Sequence, residues 1–135
     1  MKYAPTESEL NTFSTMSEDE RFLYCLTRIV EAEEVWGLAE DQGWIMSEIN
    51  DQSVLPIWPY KSIASISKRS AWETTEPQAI SLEYFVYQTS QLLIDNQIGV
   101  EVAPTLDQPG RIVEPKEFFN TLENLMESGE YFMEG

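Results

Sequence analysis

The chain contains no histidine, and that absence removes more chemistry than any single residue present supplies. Zinc-protease helices, Ser-His and Cys-His nucleophile pairs and the commonest general base at neutral pH all need an imidazole. One cysteine among 135 residues excludes an internal disulfide and makes the cytoplasm the expected location. No apolar run approaches the roughly 20 residues of a membrane helix. Met1-Lys2-Tyr3-Ala4-Pro5-Thr6-Glu7 also lacks the apolar segment of a secretory signal. Six scattered glycines leave no glycine-rich phosphate loop. Basic residues are scarce as well, eight against 24 acids, for a net charge of −16. A surface that negative repels phosphate backbones and anionic lipid, so neither nucleic acid nor membrane is an expected partner. It attracts a basic protein; the plainer reading is that it confers solubility.

What the chain does have is tryptophan in one place. All four lie between Trp36 and Trp72, three of them beside a backbone punctuator: Trp36-Gly37, Gly43-Trp44 and Trp58-Pro59. Indole is the largest apolar group and carries a donor that needs a partner, so the cluster marks core or contact. The charge distribution separates the two ends of the cluster. Residues 1–52 carry a net −9 and residues 70–135 a net −10, whereas residues 53–69 hold no acid and three bases, Lys61, Lys68 and Arg69. Trp58 and Trp72 bracket that acid-free stretch. Trp36 and Trp44 read as strand residues of the core.

The pattern along the chain predicts an α+β fold: a mixed sheet of about five short strands packed against three to four helices. Residues 1–16 are an arm or short helical turn anchored by Leu10 and Phe13, and 17–135 form a single domain. Ser17-Glu18-Asp19-Glu20 spells a capping box. Behind it Phe22, Leu23, Leu26, Ile29 and Val30 form one apolar face of a helix from about Glu18 to Ala32. Three short strands with tight turns follow, around Val35–Leu38, Trp44–Ile49 and Val54–Trp58. Pro56 requires the third to be an edge, or to turn that position's missing N–H outward. A helix is expected from Lys61 to about Trp72, with Ile63, Ala64, Ile66 and Ala71 inward, then a loop over Glu73–Pro77. Ser81 caps a longer helix that buries Leu82, Phe85, Val86, Leu92 and Leu93. Strands at Ile98–Val102 and Arg111–Val113 flank the turn Asp107-Gln108-Pro109-Gly110. Pro115 opens a last helix with Phe118, Phe119, Leu122, Leu125 and Met126 inward. Gly129 ends that helix, and Tyr131-Phe132-Met133 docks on the body.

Catalytic vocabulary is thin, and no residue is assigned a catalytic role. Cys25 borders the buried helix face and reads as structural. Ser65-Ile66-Ser67-Lys68 matches the S-x-x-K pattern of serine acyl enzymes but lacks its companion motifs. Glu31, Glu33, Glu34, Glu40 and Asp41 lack the alternating spacing that wraps calcium, so solvated carboxylates are expected, with no metal and no cofactor. The hypothetical ligand- or partner-binding group is Trp58, Tyr60, Lys61, Lys68, Arg69 and Trp72. There the start of a helix and its cations meet aromatic faces, a setting for an anion or a partner's carboxylate. Alternatively, the three cations pair with surplus glutamates. On the binding reading, Lys61→Glu with Arg69→Glu abolishes binding and leaves the melting temperature nearly unchanged.

The order Arg21, Glu34-Val35-Trp36-Gly37-Leu38, Gly43-Trp44, Leu55-Pro56-Ile57-Trp58-Pro59-Tyr60, Trp72, Pro77, Ile80-Ser81-Leu82-Glu83-Tyr84-Phe85, Val102-Ala103-Pro104-Thr105 and Pro115 resembles a known family. It is the family of small bacterial proteins described as domain of unknown function 2750, and the likeness covers nearly the whole chain after the arm. Leu-Pro-x-Trp-Pro is its most specific element. The position after that proline is often His in the family and is Tyr60 here, which argues against an acid–base role. More distantly, the order of elements is similar to a domain of the enhanced-serine-sensitivity type. The resemblance implies a bacterial, cytoplasmic α+β protein and brings no activity or catalytic residue. The function expected is therefore a non-enzymatic protein-interaction module, regulatory or protective toward a basic partner. The alternatives are a small-molecule or anion binder at the Trp58–Trp72 pocket, and a hydrolase built on carboxylates or on Ser65 and Lys68. A monomer or weak homodimer is expected.

Overall fold

The computed structural model describes residues 6–41, 43–69 and 72–128. The expectations placed on Ala71, on Gly129 and on Tyr131-Phe132-Met133 lie outside them. The described residues begin with two helices, each set by a capping box. Thr6 Oγ1 accepts from Glu9 N while the Glu9 carboxylate accepts from Thr6 N, which starts α1 (Glu7–Phe13). Ser17 and Glu20 repeat the exchange for α2 (Glu18–Ala32). Each box satisfies amide donors that a helix start leaves unpaired. The arm expected at residues 1–16 is thus helical in part, and Phe13 at its end is buried. On α2 the buried stripe is Arg21, Cys25, Leu26, Ile29, Val30 and Ala32. Leu23, expected inward, is 58% exposed. Each helical step turns about 100°, which puts it on the far side from both Arg21 and Cys25.

Seven strands follow among the described residues: β1 (Glu34–Glu40), β2 (Gly43–Trp44), β3 (Ser47–Ile49), β4 (Gln52–Ile57), β5 (Glu76–Ser81), β6 (Gly99–Val102) and β7 (Arg111–Val113). They form a three-stranded sheet in the order β2-β1-β5 and a four-stranded sheet in the order β3-β4-β6-β7. All pairs are antiparallel except β4 with β6. The α+β class stands, with the strands shared between two sheets. An antiparallel bridge between Trp36 and Trp58 joins them, each backbone N–H donating to the other's carbonyl at 2.9 Å. The expected strand over Trp44–Ile49 divides in two, because β2 pairs with β1 whereas β3 pairs with β4.

Pro56 lies opposite Glu101 in the parallel ladder. Ala103 N donates to Ile57 O, so the odd positions of β4 face β6 and Pro56 faces away from it. On that side β3 pairs only as far as Val54, so the missing donor leaves no gap in a ladder.

The helix α3 (Lys61–Ile66) is shorter than expected. Ser67 ends it, its hydroxyl bonding back to Ile63 O at 2.7 Å. The loop expected over Glu73–Pro77 gives way at Glu76 to β5, which pairs six residues with β1. Ser81 then caps α4 (Leu82–Tyr84), which continues through a π-helical segment, Phe85–Thr89, into α5 (Ser90–Asp95). The wider π turn shifts the helical phase of the residues after it. Leu93 therefore stays buried while Leu92, expected inward, is 55% exposed. Pro115 opens α6 (Pro115–Ser128), and Phe118, Phe119 and Leu122 pack with Phe85 in the core.

Candidate functional site

Three of the six singled-out residues come together, and they clamp a loop. Trp58 is fully buried, and its indole N–H donates to Pro104 O at 2.8 Å. Trp72, 6% exposed, meets it edge to face with centroids 5.9 Å apart. The Arg69 guanidinium lies 5.0 Å from the centre of the Trp72 ring. It also donates to Thr105 O and, at 3.1 Å, to Gln108 O. The buried Arg21 also donates to Ala103 O, Pro109 O and Met16 O, at 3.0, 2.8 and 2.8 Å. Burial pulls this guanidinium below its ordinary pKa, and Glu18 pulls it back up. The loop is tight in its own right. Thr105 Oγ1 accepts from the amides of Asp107 and Gln108, and Ala103 adopts a left-handed φ of 55°. A Cβ on Gly110 would lie 2.3 Å from Val102 O, so only glycine closes the turn.

The other three candidates point elsewhere. Lys68 Nζ donates to Thr75 O at 2.7 Å. Lys61 is exposed at the start of α3. Tyr60 is buried, with its hydroxyl in the field of Arg28, Tyr24, Glu31 and Glu9 on α1 and α2; burial pushes this phenol up. The described cations of the acid-free stretch thus serve backbone carbonyls more than glutamates. Five surface clefts stand out among the described residues, and none is lined by any of the six. Ser65 is exposed near the end of α3, but the amine of the S-x-x-K pattern is committed to Thr75. Cys25 is fully buried, and burial pushes its thiol up, away from the thiolate a nucleophile needs.

Two features escaped sequence reasoning. Glu101 is fully buried on β6; its Oε2 accepts from Gly110 N at 3.0 Å, and Oε1 has no hydrogen-bond partner among the described residues. This carboxylate ties the far end of the clamped loop to the sheet. The second feature is a cleft of about 630 Å³ at the β1–β2 hairpin, lined by Glu40, Asp41, Gly43, Trp44, Ile45, Met46 and Thr74. Trp44 packs on the core but is only half-buried. It pairs with Ala39, which puts Gly37 diagonally across the strands on the same face. A Cβ on Gly37 would lie 2.3 Å from Cε3 of the indole, so the ring rests directly on the glycine backbone. Thr74 Oγ1 donates to Glu40 Oε2 at 2.6 Å, which orients that carboxylate. A glycine two residues from the register partner of a tryptophan was the available signal. A larger cleft, about 960 Å³, is lined by amides and charged groups, among them Gln52, Asn96, Gln97 and Glu114, with no aromatic side chain.

An α+β domain with a two-sheet seam of tryptophan backbones and a clamped loop is the class these observations define. The chain belongs to a family described as a protein of unknown function, DUF2750, whose model matches residues 22–122. That span runs from within α2 into α6 and takes in the hairpin cleft and the clamp apart from Arg21, which lies one residue before it. Comparison with curated proteins and with solved structures finds no match.

Proposed function

We propose that this protein is a non-enzymatic interaction module whose partner is a basic protein. One observation carries the reading: among the described residues the carboxylates are mostly exposed, whereas most of the cations are partly or fully covered. Nineteen of the 22 described Asp and Glu residues are exposed, whereas of the seven described Lys and Arg residues only Lys61 and Lys116 are. A surface of one sign steers and selects partners of the other sign and costs stability through self-repulsion. The commitments of Cys25 to the core and of Lys68 to a carbonyl support the non-enzymatic part.

Affinity capture tests it. The immobilised chain and an unrelated acidic protein of matched net charge are exposed to the same native lysate. A protein of high pI should stay on the first and not the second, and should leave as salt is raised through about 0.5 M, where screening shortens the reach of exposed charges. Retention of the same set on both supports would refute the reading.

A further inference from the structure

The hairpin cleft has the parts of a cation site, and it rests on the basic-partner reading while adding where and how that partner is held. Its lining includes an indole seated in advance: Gly37 leaves room for the ring to lie on the backbone, where any Cβ would displace it. Two exposed carboxylates, Glu40 and Asp41, also line it, the first already oriented by Thr74. Met46, 44% exposed, adds a polarisable wall. No Lys or Arg occurs anywhere in residues 29–60 or 70–110, which together supply every residue lining the cleft and carry 13 acids. The contrast with Trp72 is direct, because there the chain supplies its own guanidinium to the ring.

We propose that Trp44, Glu40 and Asp41 receive an arginine side chain from a basic segment of the partner. Guanidinium fits better than ammonium: it is planar and weakly hydrated, it stacks on an indole face, and its fork of donors reaches two acceptors at once. Tryptophan and arginine are also the residue types enriched among those that carry interface energy. The charge complementarity commits the occupant to a protein segment rich in arginine.

The test is a titration of the full chain with a tetra-arginine peptide, followed by the indole N–H resonances of the four tryptophans. The expected result is a shift confined to the Trp44 indole, with tetra-lysine binding about tenfold more weakly. Glu40→Gln combined with Asp41→Asn should weaken tetra-arginine about tenfold without moving the melting temperature downward. Trp44→Leu should abolish the specific contact; the carboxylate pair keeps the test sound if that variant fails to fold. Tetra-arginine binding with shifts elsewhere overturns this site and leaves the basic-partner reading standing. Absence of binding by any cationic peptide at about 1 mM and low salt overturns both. Equal affinity for free arginine amide overturns the peptide segment as occupant.

Discussion

Two places in this molecule combine an indole with charge, and they differ in who completes the set. At Trp58 and Trp72 the chain completes it: Arg69 covers one ring, Pro104 O accepts a hydrogen bond from the indole N–H of the other, and the two rings meet edge to face. At Trp44 the ring is half-open, and the residues lining its cleft bring carboxylates and no cation. As sequence, the first reads as the binding group and Trp44 reads as a core strand residue. What separates them is satisfaction, since a buried polar group with all its partners holds a fold together and an exposed one is left to recognise something else. The contrast also explains the acid-free stretch. Its cations Lys68 and Arg69 donate to the carbonyls of Thr75, Thr105 and Gln108, a task that a neighbouring carboxylate would compete for.

The most damaging way to break the clamp is Arg21→Met. It keeps much of the apolar stem but leaves three carbonyls without their donor, two of them on the clamped loop. Charge-assisted bonds of this kind predict a loss of about 3 kcal/mol, read as a drop in the urea midpoint. Peptide binding per folded molecule should be unchanged, because the hairpin lies outside the clamp. Next in size is Gly37→Ala, which breaks the other side of the comparison. The added methyl must push the indole aside, at about 2 kcal/mol. The Trp44 indole resonance should move with it, and tetra-arginine affinity should fall. A variant as stable as the parent, with that resonance unmoved, would mean the ring does not rest on Gly37.

Local signals carried the parts of this fold that local physics decides. Ser17 with Glu20, Ser81 and Pro115 each start the helix their chemistry demands. Arg111–Val113 is a strand as read. Elements decided by a distant partner were not legible. Glu76-Pro77-Gln78-Ala79-Ile80-Ser81 has one β-branched aliphatic and a proline, so its strand exists because β1 offers six pairing positions. The break between β2 and β3 arises because two sheets compete for one segment. The exposure of Leu92 depends on a π turn with no signature in composition. The candidate site divides the same way. Charge bookkeeping found the stretch where aromatic and cation meet, but the carbonyls that use those cations lie up to 39 residues away, at Gln108.

Two smaller effects sharpen the clamp's side. Read from sequence alone, Lys61→Glu with Arg69→Glu should be neutral for stability; the structure splits the pair. Arg69→Glu strips donors from Thr105 and Gln108 and a cation from Trp72, for a loss of about 1 kcal/mol. Lys61→Glu alone should change the melting temperature little. Alkali should act through two buried protons. Cys25 and Tyr60 are held above their ordinary values of 9.0 and 10.0, chiefly by burial. Well below pH 9 both are protonated, folded or unfolded, and stability is whole. Above that the unfolded chain releases the thiol proton first and the phenol next, while the folded chain keeps both. The folded state then binds more protons, so stability falls as pH rises. Urea midpoints should decline from about pH 9, and Cys25→Ala should delay the onset toward pH 10. The native thiol should react with a disulfide reagent only as fast as the chain opens.

The smallest expected effect bears hardest on the comparison, because its sign separates the two regions. Glu40→Gln with Asp41→Asn removes two negative charges from a molecule of net −16, at exposed positions that form no ion pair among the described residues. Exposed substitutions usually stay within about 0.5 kcal/mol. Relief of self-repulsion pushes this one upward, whereas Gln retains an acceptor for Thr74. The melting temperature should therefore hold or rise slightly at low salt, and the gain should vanish as salt screens the remaining acids. Neutralising the clamp with Arg69→Gln should do the reverse and lower it at any salt, because hydrogen bonds to partly buried carbonyls are screened little. A fall on both sides would mean the hairpin carboxylates hold the fold as the clamp cations do. A rise on one and a fall on the other is what a surface kept acidic for a partner predicts, since such a surface gives up some stability for recognition.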